Sequence, residues 1–461
     1  MSASGLSSTG LSSSGEGATA ALVEFLLSAR LADMPANVVH EAKRSLINIV
    51  GCTIGGARHE AVETLWSGVG PFAGAAQATL IGRGAKTDAL TACLVNTYAS
   101  SINTFDDTHA EAIIHASGPV MAAVFAIEEM RPVSGAEALA AFALGVEIAC
   151  RLSKAVSVPP AKVVFAWSQT GICSSVAVAA AAARLLGLDA ARTRSALGIA
   201  ATVTGGIRAS HGTNCTALLP AHAAEAGLRA AFLAEKGFTG TERFFEARYG
   251  LAECFSAGAH LPHLTGGLGS HWEILSNTYK PFPCGIVVNP LIDAAMKIRA
   301  EHGITSDNVA SVAVKAAPEA LDLCDRPNPT NEMEAQVSLY HWVAAVFVHG
   351  RAGVPEGGPA AVHDPAMIAF RRRVTASADA AVPIDGCDMT VTLKDGRRIE
   401  NRVRDCIGSR GNPMTDAQLE DKVRALAASA KLSDGKADQV IAACWGFDTL
   451  ADGAAIAKLC G

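Results

Sequence analysis

Asp106, Asp107, Thr108, His109, Glu111 and His115 fall within ten residues of one another. Carboxylates and imidazoles packed that closely shift one another's pKa values, which is the condition general acid–base chemistry needs. The same stretch also reads as the start of a helix. Thr108-His-Ala-Glu111 fits a capping box, and Asp106-Asp107 suits the positive end of a helix dipole. Capping gives His109 and His115 no task. Their separation does not match the three- or four-residue spacing of helical metal ligands, so no metal is expected.

Two further segments carry charge in unusual settings. Thr204–Thr213 places Arg208 and His211 in a glycine-containing break between helical patterns, where a guanidinium and an imidazole suit recognition of a carboxylate. Tyr279-Lys-Pro-Phe-Pro-Cys-Gly285 fixes the backbone around Lys280 with two prolines. A lysine held in that way can pair with a substrate carboxylate or, when desolvated, act as an acid or base. Asn289 and Asp293 follow on the next helical pattern. The chain has no P-loop, no GxGxxG, no HExxH and no GxSxG.

The elements that must position these groups are mainly helical. Apolar residues recur at helical spacing from Ala18 to about Gly269, with helices expected near 38–54, 87–103, 117–131, 135–155, 171–187, 190–203 and 216–236. After His271 the pattern changes. Val309–Lys315 alternates like a strand, and Asp395-Gly396 between Met389–Leu393 and Arg397–Val403 predicts a hairpin. Helical patterns at 286–302, 334–349 and 364–372 lie among these strands, and helices return at 415–430 and 435–445. The expected organisation is a tail over 1–17, a helical domain over 18–270, an α/β lid over 271–405, and a helical completion over 406–461. The fold class is thus mostly α, a large all-helical domain with an inserted smaller α/β domain, and the active site is expected between the two.

Composition limits the partners. The net charge of −6 offers no broad positive field for nucleic acid or an anionic membrane. The Ser/Gly-rich start, Met1 to Gly17, lacks the basic and apolar regions of a signal peptide and reads as disordered. No apolar run is long enough to span a bilayer. The twelve cysteines form no CxxC pair and read as small buried apolar residues in a reducing compartment, Cys284 among them. A cytoplasmic protein is expected.

Several of these segments together resemble the MmgE/PrpD family: Leu46–Gly56, Asn96 through Phe105-Asp-Asp-Thr108, His115–Pro119, Ala181–Asp189, Lys280–Cys284 and Gly411–Met414. The likeness runs from about residue 18 to 450. It implies a helical domain with a smaller α/β lid, a homodimer, and no metal or organic cofactor. It also implies chemistry beside a carboxylate of a small di- or tricarboxylate. The family includes 2-methylcitrate dehydratase, cis-aconitate decarboxylase and iminodisuccinate epimerase.

Asp106, Asp107, Thr108, His115 and Lys280 sit where the family keeps its site motifs. Thr104, Ser168, Ala217 and Asn289 stand where its lyases commonly carry Asp, His, Lys and His. Those departures place an epimerase acting on an iminodisuccinate-like substrate first and a dehydratase or decarboxylase second, with a non-catalytic metabolite binder third. In the epimerase reading Lys280 and His115 exchange protons on opposite faces, and Asp107 and Thr108 orient them. Arg208, His211, Asp106 and Asn289 bind substrate.

Overall fold

The structure is a computed structural model that describes residues 17–109, 111–433 and 435–461. Apart from Gly17, the tail expected over 1–17 lies outside the described residues. The fold is mostly α. Helices Ala36–Gly56, Ala89–Ser101, Ser117–Met130, Gly135–Ser157, Gln169–Leu185, Ala190–Thr202 and Cys215–Glu235 make the body of the first part of the chain. The alanine and glycine content explains how they pack. A Cβ on Gly227 would lie 2.3 Å from Ser175 O, so only glycine lets helix Cys215–Glu235 come this close to helix Gln169–Leu185. Small side chains at this interface bury residues 169–183 of one helix and the alanine-rich face of the other, which keeps its opposite face in solvent.

A second apolar cluster runs from Cys284 to Cys406 and is built on a four-stranded sheet. Its strand order is Arg398–Val403, Cys387–Leu393, Val309–Ala316, Val374–Ala378. The hairpin expected at Asp395-Gly396 is present, with Thr392 opposite Arg398. Val309–Ala316 pairs antiparallel with Cys387–Leu393 and parallel with Val374–Ala378. Val312, Val314 and Ala316 point inward with Met389, Val391 and Leu393, against helices Asn289–His302 and Leu339–His349. Trp272, Ile274 and Tyr279 pack in the first cluster, so the residues just ahead of Lys280 belong to the helical core.

Helix Asp416–Ser429 returns to the first core and lies on helix Ala36–Gly56. The single helical pattern expected over 334–349 is two helices, Glu332–Gln336 and Leu339–His349. Ser338 interrupts it because its side chain caps the second helix, accepting from the His341 N–H.

All twelve cysteines are free, and all but Cys215 and Cys254 are buried. Among the described residues, no helix is long and apolar enough to cross a membrane.

Candidate active site

A cavity of about 340 Å³ opens between the helical part and the segments at the start of the α/β part. Its wall carries Asp106, Thr108, His115, Arg208, His211 and Lys280. Six of the eight residues picked from sequence therefore meet here, from segments far apart in the chain. Asp107 and Asn289 do not line it.

The segment Asn103–His115 supplies three of the six. It does not form the alternative helix cap, because Thr108-His109 is a two-residue strand paired with Asn277-Thr278. Thr278 Oγ1 also donates to Thr108 O at 2.6 Å. Successive side chains of an extended segment point to opposite sides. Asp106 and Thr108 consequently face the cavity, while Asp107 turns into the protein.

Asp107 is fully buried and accepts from Asn277 Nδ2 and Ser117 Oγ, both at 2.7 Å. Burial pushes its carboxyl above the usual aspartate range, and those two donors only partly offset it. Asp107 thus stands behind the cavity wall, in the orienting position expected of it and not beside the substrate space. Its backbone carbonyl is what fixes the histidine. Asn289, expected to bind substrate, is likewise buried behind the wall, where its Oδ1 accepts from Cys284 Sγ at 3.3 Å.

Two β-branched residues of this segment, Thr104 and Ile113, have φ of 50° and 48° and both line the cavity. Left-handed backbone is costly for such side chains and persists only where its surroundings over-determine it. Thr104 is held on two sides. Its carbonyl accepts from Lys280 Nζ at 3.2 Å, and its hydroxyl donates to Gln336 Oε1.

The polar centre of the cavity is Asp106. Its Oδ1 lies 3.1 Å from Lys280 Nζ and 3.7 Å from His115 Nδ1, and its Oδ2 accepts from Ser101 Oγ at 3.1 Å. Burial opposes the charge on Asp106, yet His115 and Lys280 outweigh it and hold the carboxyl below the usual aspartate range.

His115 Nδ1 lies 2.9 Å from the Asp107 carbonyl, an atom that can only accept, so Nδ1 carries a proton. When the ring is neutral the lone pair is therefore on Nε2, which makes no hydrogen bond among the described residues. Burial, reinforced by the Lys280 charge, lowers the His115 pKa below the ordinary histidine value although Asp106 opposes the shift. At neutral pH the ring is then a neutral base with its tautomer set.

Arg208 and His211 hang from the break between helices Ala190–Thr202 and Cys215–Glu235. Residues 206–208 pair with 166–168, through Ser168 N to Gly206 O and Arg208 N to Ala166 O, both 2.9 Å. A Cβ on Gly171 would lie 2.5 Å from Gly205 O, so glycine permits that approach. Arg208 Nε donates to Trp167 O at 3.0 Å and Nη2 to Gln169 Oε1, which aims the guanidinium along the cavity wall. Crowding by protein, with Arg208 alongside, pushes His211 down to about 4.

Ser168 caps helix Gln169–Leu185, and Ser168 and Thr170 also line the cavity. The positive end of a seventeen-residue helix therefore faces it, another feature suited to an anion.

Sequence reasoning passed over Arg326, Gln336 and Ser101, all on the wall. Arg326 Nη1 donates to Leu323 O at 2.8 Å, while its Nη2 makes no hydrogen bond among the described residues. It brings a second guanidinium from the α/β side. No local pattern marks it, since a lone Arg after a short helix is ordinary.

His109 and Glu111, by contrast, belong to an ion cluster away from the cavity, with His109 buried and Glu111 at its exposed edge. His109 Nδ1 accepts from Ala112 N, so Nε2 donates to Glu273 Oε2 at 3.1 Å. Lys154 Nζ reaches Glu273 at 2.9 Å and Glu111 at 3.0 Å. Burial disfavours the charge on Glu273, but donors from His109 and Lys154 hold it down to about 2. Among the described residues, no group of three or more His, Cys, Asp or Glu is placed to hold a metal ion.

Residues 20–263 match the MmgE/PrpD N-terminal domain and residues 282–446 the MmgE/PrpD C-terminal domain. The chain belongs to the MmgE/PrpD family. Relatives include human cis-aconitate decarboxylase, 28% identical over 356 residues and covering 72% of each chain. The cis-aconitate decarboxylase of Aspergillus terreus is 24% identical over 448 residues, 91% of each chain. A cis-aconitate decarboxylase-like protein of Aspergillus oryzae is 25% identical over 438 residues, 89% of this chain and 90% of its own. These likenesses favour the lyase expectation over the epimerase that the departures had placed first.

Proposed function

We propose that this MmgE/PrpD protein is a lyase acting on a small tricarboxylate, of the cis-aconitate decarboxylase type. The observation that carries the reading is the union in one cavity of the Lys280–Asp106–His115 cluster with two guanidinium groups, Arg208 and Arg326. Guanidiniums match carboxylates in shape and charge, and two of them with a helix N-terminus hold the carboxylates that stay. The cavity volume of about 340 Å³ is at the small end of ligand sites and fits a compact polyacid.

For a cis-aconitate-like substrate, the bond from the methylene carbon to its carboxylate breaks and carbon dioxide leaves. The bonding pair forms a new double bond to the central carbon, and the old double bond takes a proton at its far end. Lys280, charged beside Asp106, is the assigned proton donor. The proton that Lys280 gives to carbon is replaced from solvent between turnovers, with the neutral His115, through its Nε2, as the base that relays it. The fixed positive charges stabilise negative charge as it moves onto the carbon frame.

One observation favours a second reading. Thr104, Ser168 and Ala217, three positions where the site departs from the lyase pattern, all line the cavity. With a neutral base and a charged acid on hand, removing a proton and returning it on the other face would give an epimerase.

A single experiment separates these outcomes. Small di- and tricarboxylates are incubated with the enzyme in D₂O and followed by NMR. Loss of a carboxylate carbon with deuterium at one new position supports decarboxylation. A new alkene without carbon loss marks a dehydratase. Exchange at a stereocentre with no net consumption would sink the lyase reading.

A further inference from the structure

We infer that Lys422 is a positioning residue that fixes the proton donor and its carboxylate partner relative to each other. Lys422 lies on helix Asp416–Ser429, far along the chain from either group, and it is buried. Its ammonium donates to three acceptors: Asn48 Oδ1 at 2.8 Å, Phe105 O at 2.7 Å and Lys280 O at 2.9 Å. It also sits 3.8 Å from the centroid of the Phe105 ring, within cation–π range.

Two of the three acceptors are backbone carbonyls of the reactive segments. Phe105 directly precedes Asp106, and the Lys280 carbonyl belongs to the proton donor itself. One ammonium thus ties together the backbones that carry the two ends of the 3.1 Å Lys280–Asp106 pair. An ammonium has three donors, and all three are used. Lys422 does not line the reaction cavity, so it acts through the others and not on substrate.

The groups facing it are Cys52 from helix Ala36–Gly56, Asp106 and Asp107 from the Asn103–His115 segment, and Lys280. Burial, with Lys280's like charge adding to it, lowers the Lys422 pKa to about 8.

On its other side Lys422 borders a separate cavity of about 360 Å³, whose wall also includes Phe105, Pro281, Val354 and Gln418. That opening supplies the test. Lys422→Ala removes three methylenes and the ammonium, a shape that propylammonium restores when it enters from the second cavity.

The inference rests on Asp106 and Lys280 being the reacting pair, whichever product forms, so Lys280→Met is assayed alongside. Displacing a reacting group by about 1 Å costs roughly 100-fold in rate. Lys422→Met and Lys422→Ala are therefore expected to lose about 100-fold in kcat per folded molecule. KM should hold within about threefold, since Arg208, Arg326 and His211 are untouched. Propylammonium should restore at least about tenfold to Lys422→Ala, and 1-propanol nothing, because only the ammonium supplies three donors.

A purely structural lysine would lower the folded fraction, read by circular dichroism, and leave kcat per folded molecule alone; that result overturns the inference. So does absence of rescue by propylammonium. If Lys280→Met retains activity, the site assignment itself falls, and the behaviour of the Lys422 variants is not then the cause.

Discussion

Replacing Asp106 by Asn removes one charge and almost no volume, which isolates the electrostatics of the cavity. In the native site Lys280 Nζ lies 3.1 Å from Asp106 Oδ1, and the two side chains are 1% and 7% exposed. With an effective dielectric constant near 20, opposite charges at that distance attract by roughly 5 kcal/mol. Part of this only offsets the desolvation of both ions. What matters for the variant is that Lys280 is left buried without a countercharge, its acceptors reduced to neutral oxygens, the Thr104 carbonyl and the new amide. Breaking one side of a buried pair costs about 3–5 kcal/mol.

Unfolding entropy of about 2.1 cal/mol/K per residue gives roughly 1 kcal/mol/K for a chain of this length, so the expected fall in Tm is about 3–5 °C. The double variant Asp106→Asn/Lys280→Met removes the stranded charge and should recover more than half of that loss. Calorimetry at neutral pH on the wild type, both single variants and the double variant completes the cycle. Two results would refute the reasoning: an Asp106→Asn protein melting within about 1 °C of wild type, or a coupling energy below about 0.5 kcal/mol.

The pH dependence has a fixed sign as well. Asp106 is depressed in the folded state, so its contribution is complete above the ordinary aspartate value of about 3.9. It is lost as pH falls through the depressed native value. Asp106→Asn should flatten that part of the acid limb of the stability curve.

His115→Gln is expected to reduce turnover by about 100- to 10,000-fold with little change in Tm, checked by NMR progress curves and calorimetry. In the wild type the acid limb of kcat/KM should fall below the ordinary histidine value of about 6.5, because burial lowers the His115 pKa. Arg208→Met and Arg326→Met should each raise KM, by roughly 10- to 150-fold for one lost charge-assisted hydrogen bond, with smaller effects on kcat. Equal loss in kcat at unchanged KM would remove them as carboxylate binders. Glu273→Gln should leave kcat intact and destabilise the protein. Holding Glu273 down to about 2 from an ordinary 4.5 corresponds to about 3 kcal/mol, present above pH 4.5 and lost as pH falls toward 2. Denaturant titrations of wild type and variant across that range test it.

Most of the helical framework was legible because its apolar spacing is local. Helices Ser117–Met130 and Gly135–Ser157 fall within a few residues of the periodic segments read for them. The Asp395-Gly396 turn likewise specified its own hairpin. Strand Val374–Ala378 was missed because the apolar positions of Val-Thr-Ala-Ser-Ala after Val374 are only alanines, a weak signal that its parallel neighbour Val309–Ala316 makes into a strand. Thr108 was open to a capping role for a similar reason. Whether it starts a helix or joins a strand depends on Thr278, which no window around Thr108 contains.

In the site, residue chemistry found Asp106, His115, Arg208, His211 and Lys280. It could not tell Asp106 from Asp107, since that choice is made by the extended backbone and not by composition. Arg326 and Lys422 carry no local mark at all. Their significance lies in what the fold sets beside them.

The tie from Lys422 to Lys280 O spans 142 residues and the tie to Asn48 spans 374. A chain emerging from a ribosome therefore exposes both reactive segments long before the ammonium that clamps them. Contacts of such separation form late, after the intervening loop entropy has been overcome. Here the stretch between Lys280 and Lys422 contains the whole second core, so the clamp closes a loop around a separately packed unit. On the proposed roles, catalytic competence then doubles as a quality check on synthesis, because a nascent chain short of residue 422 has Lys280 and Asp106 but not the tie that sets their register.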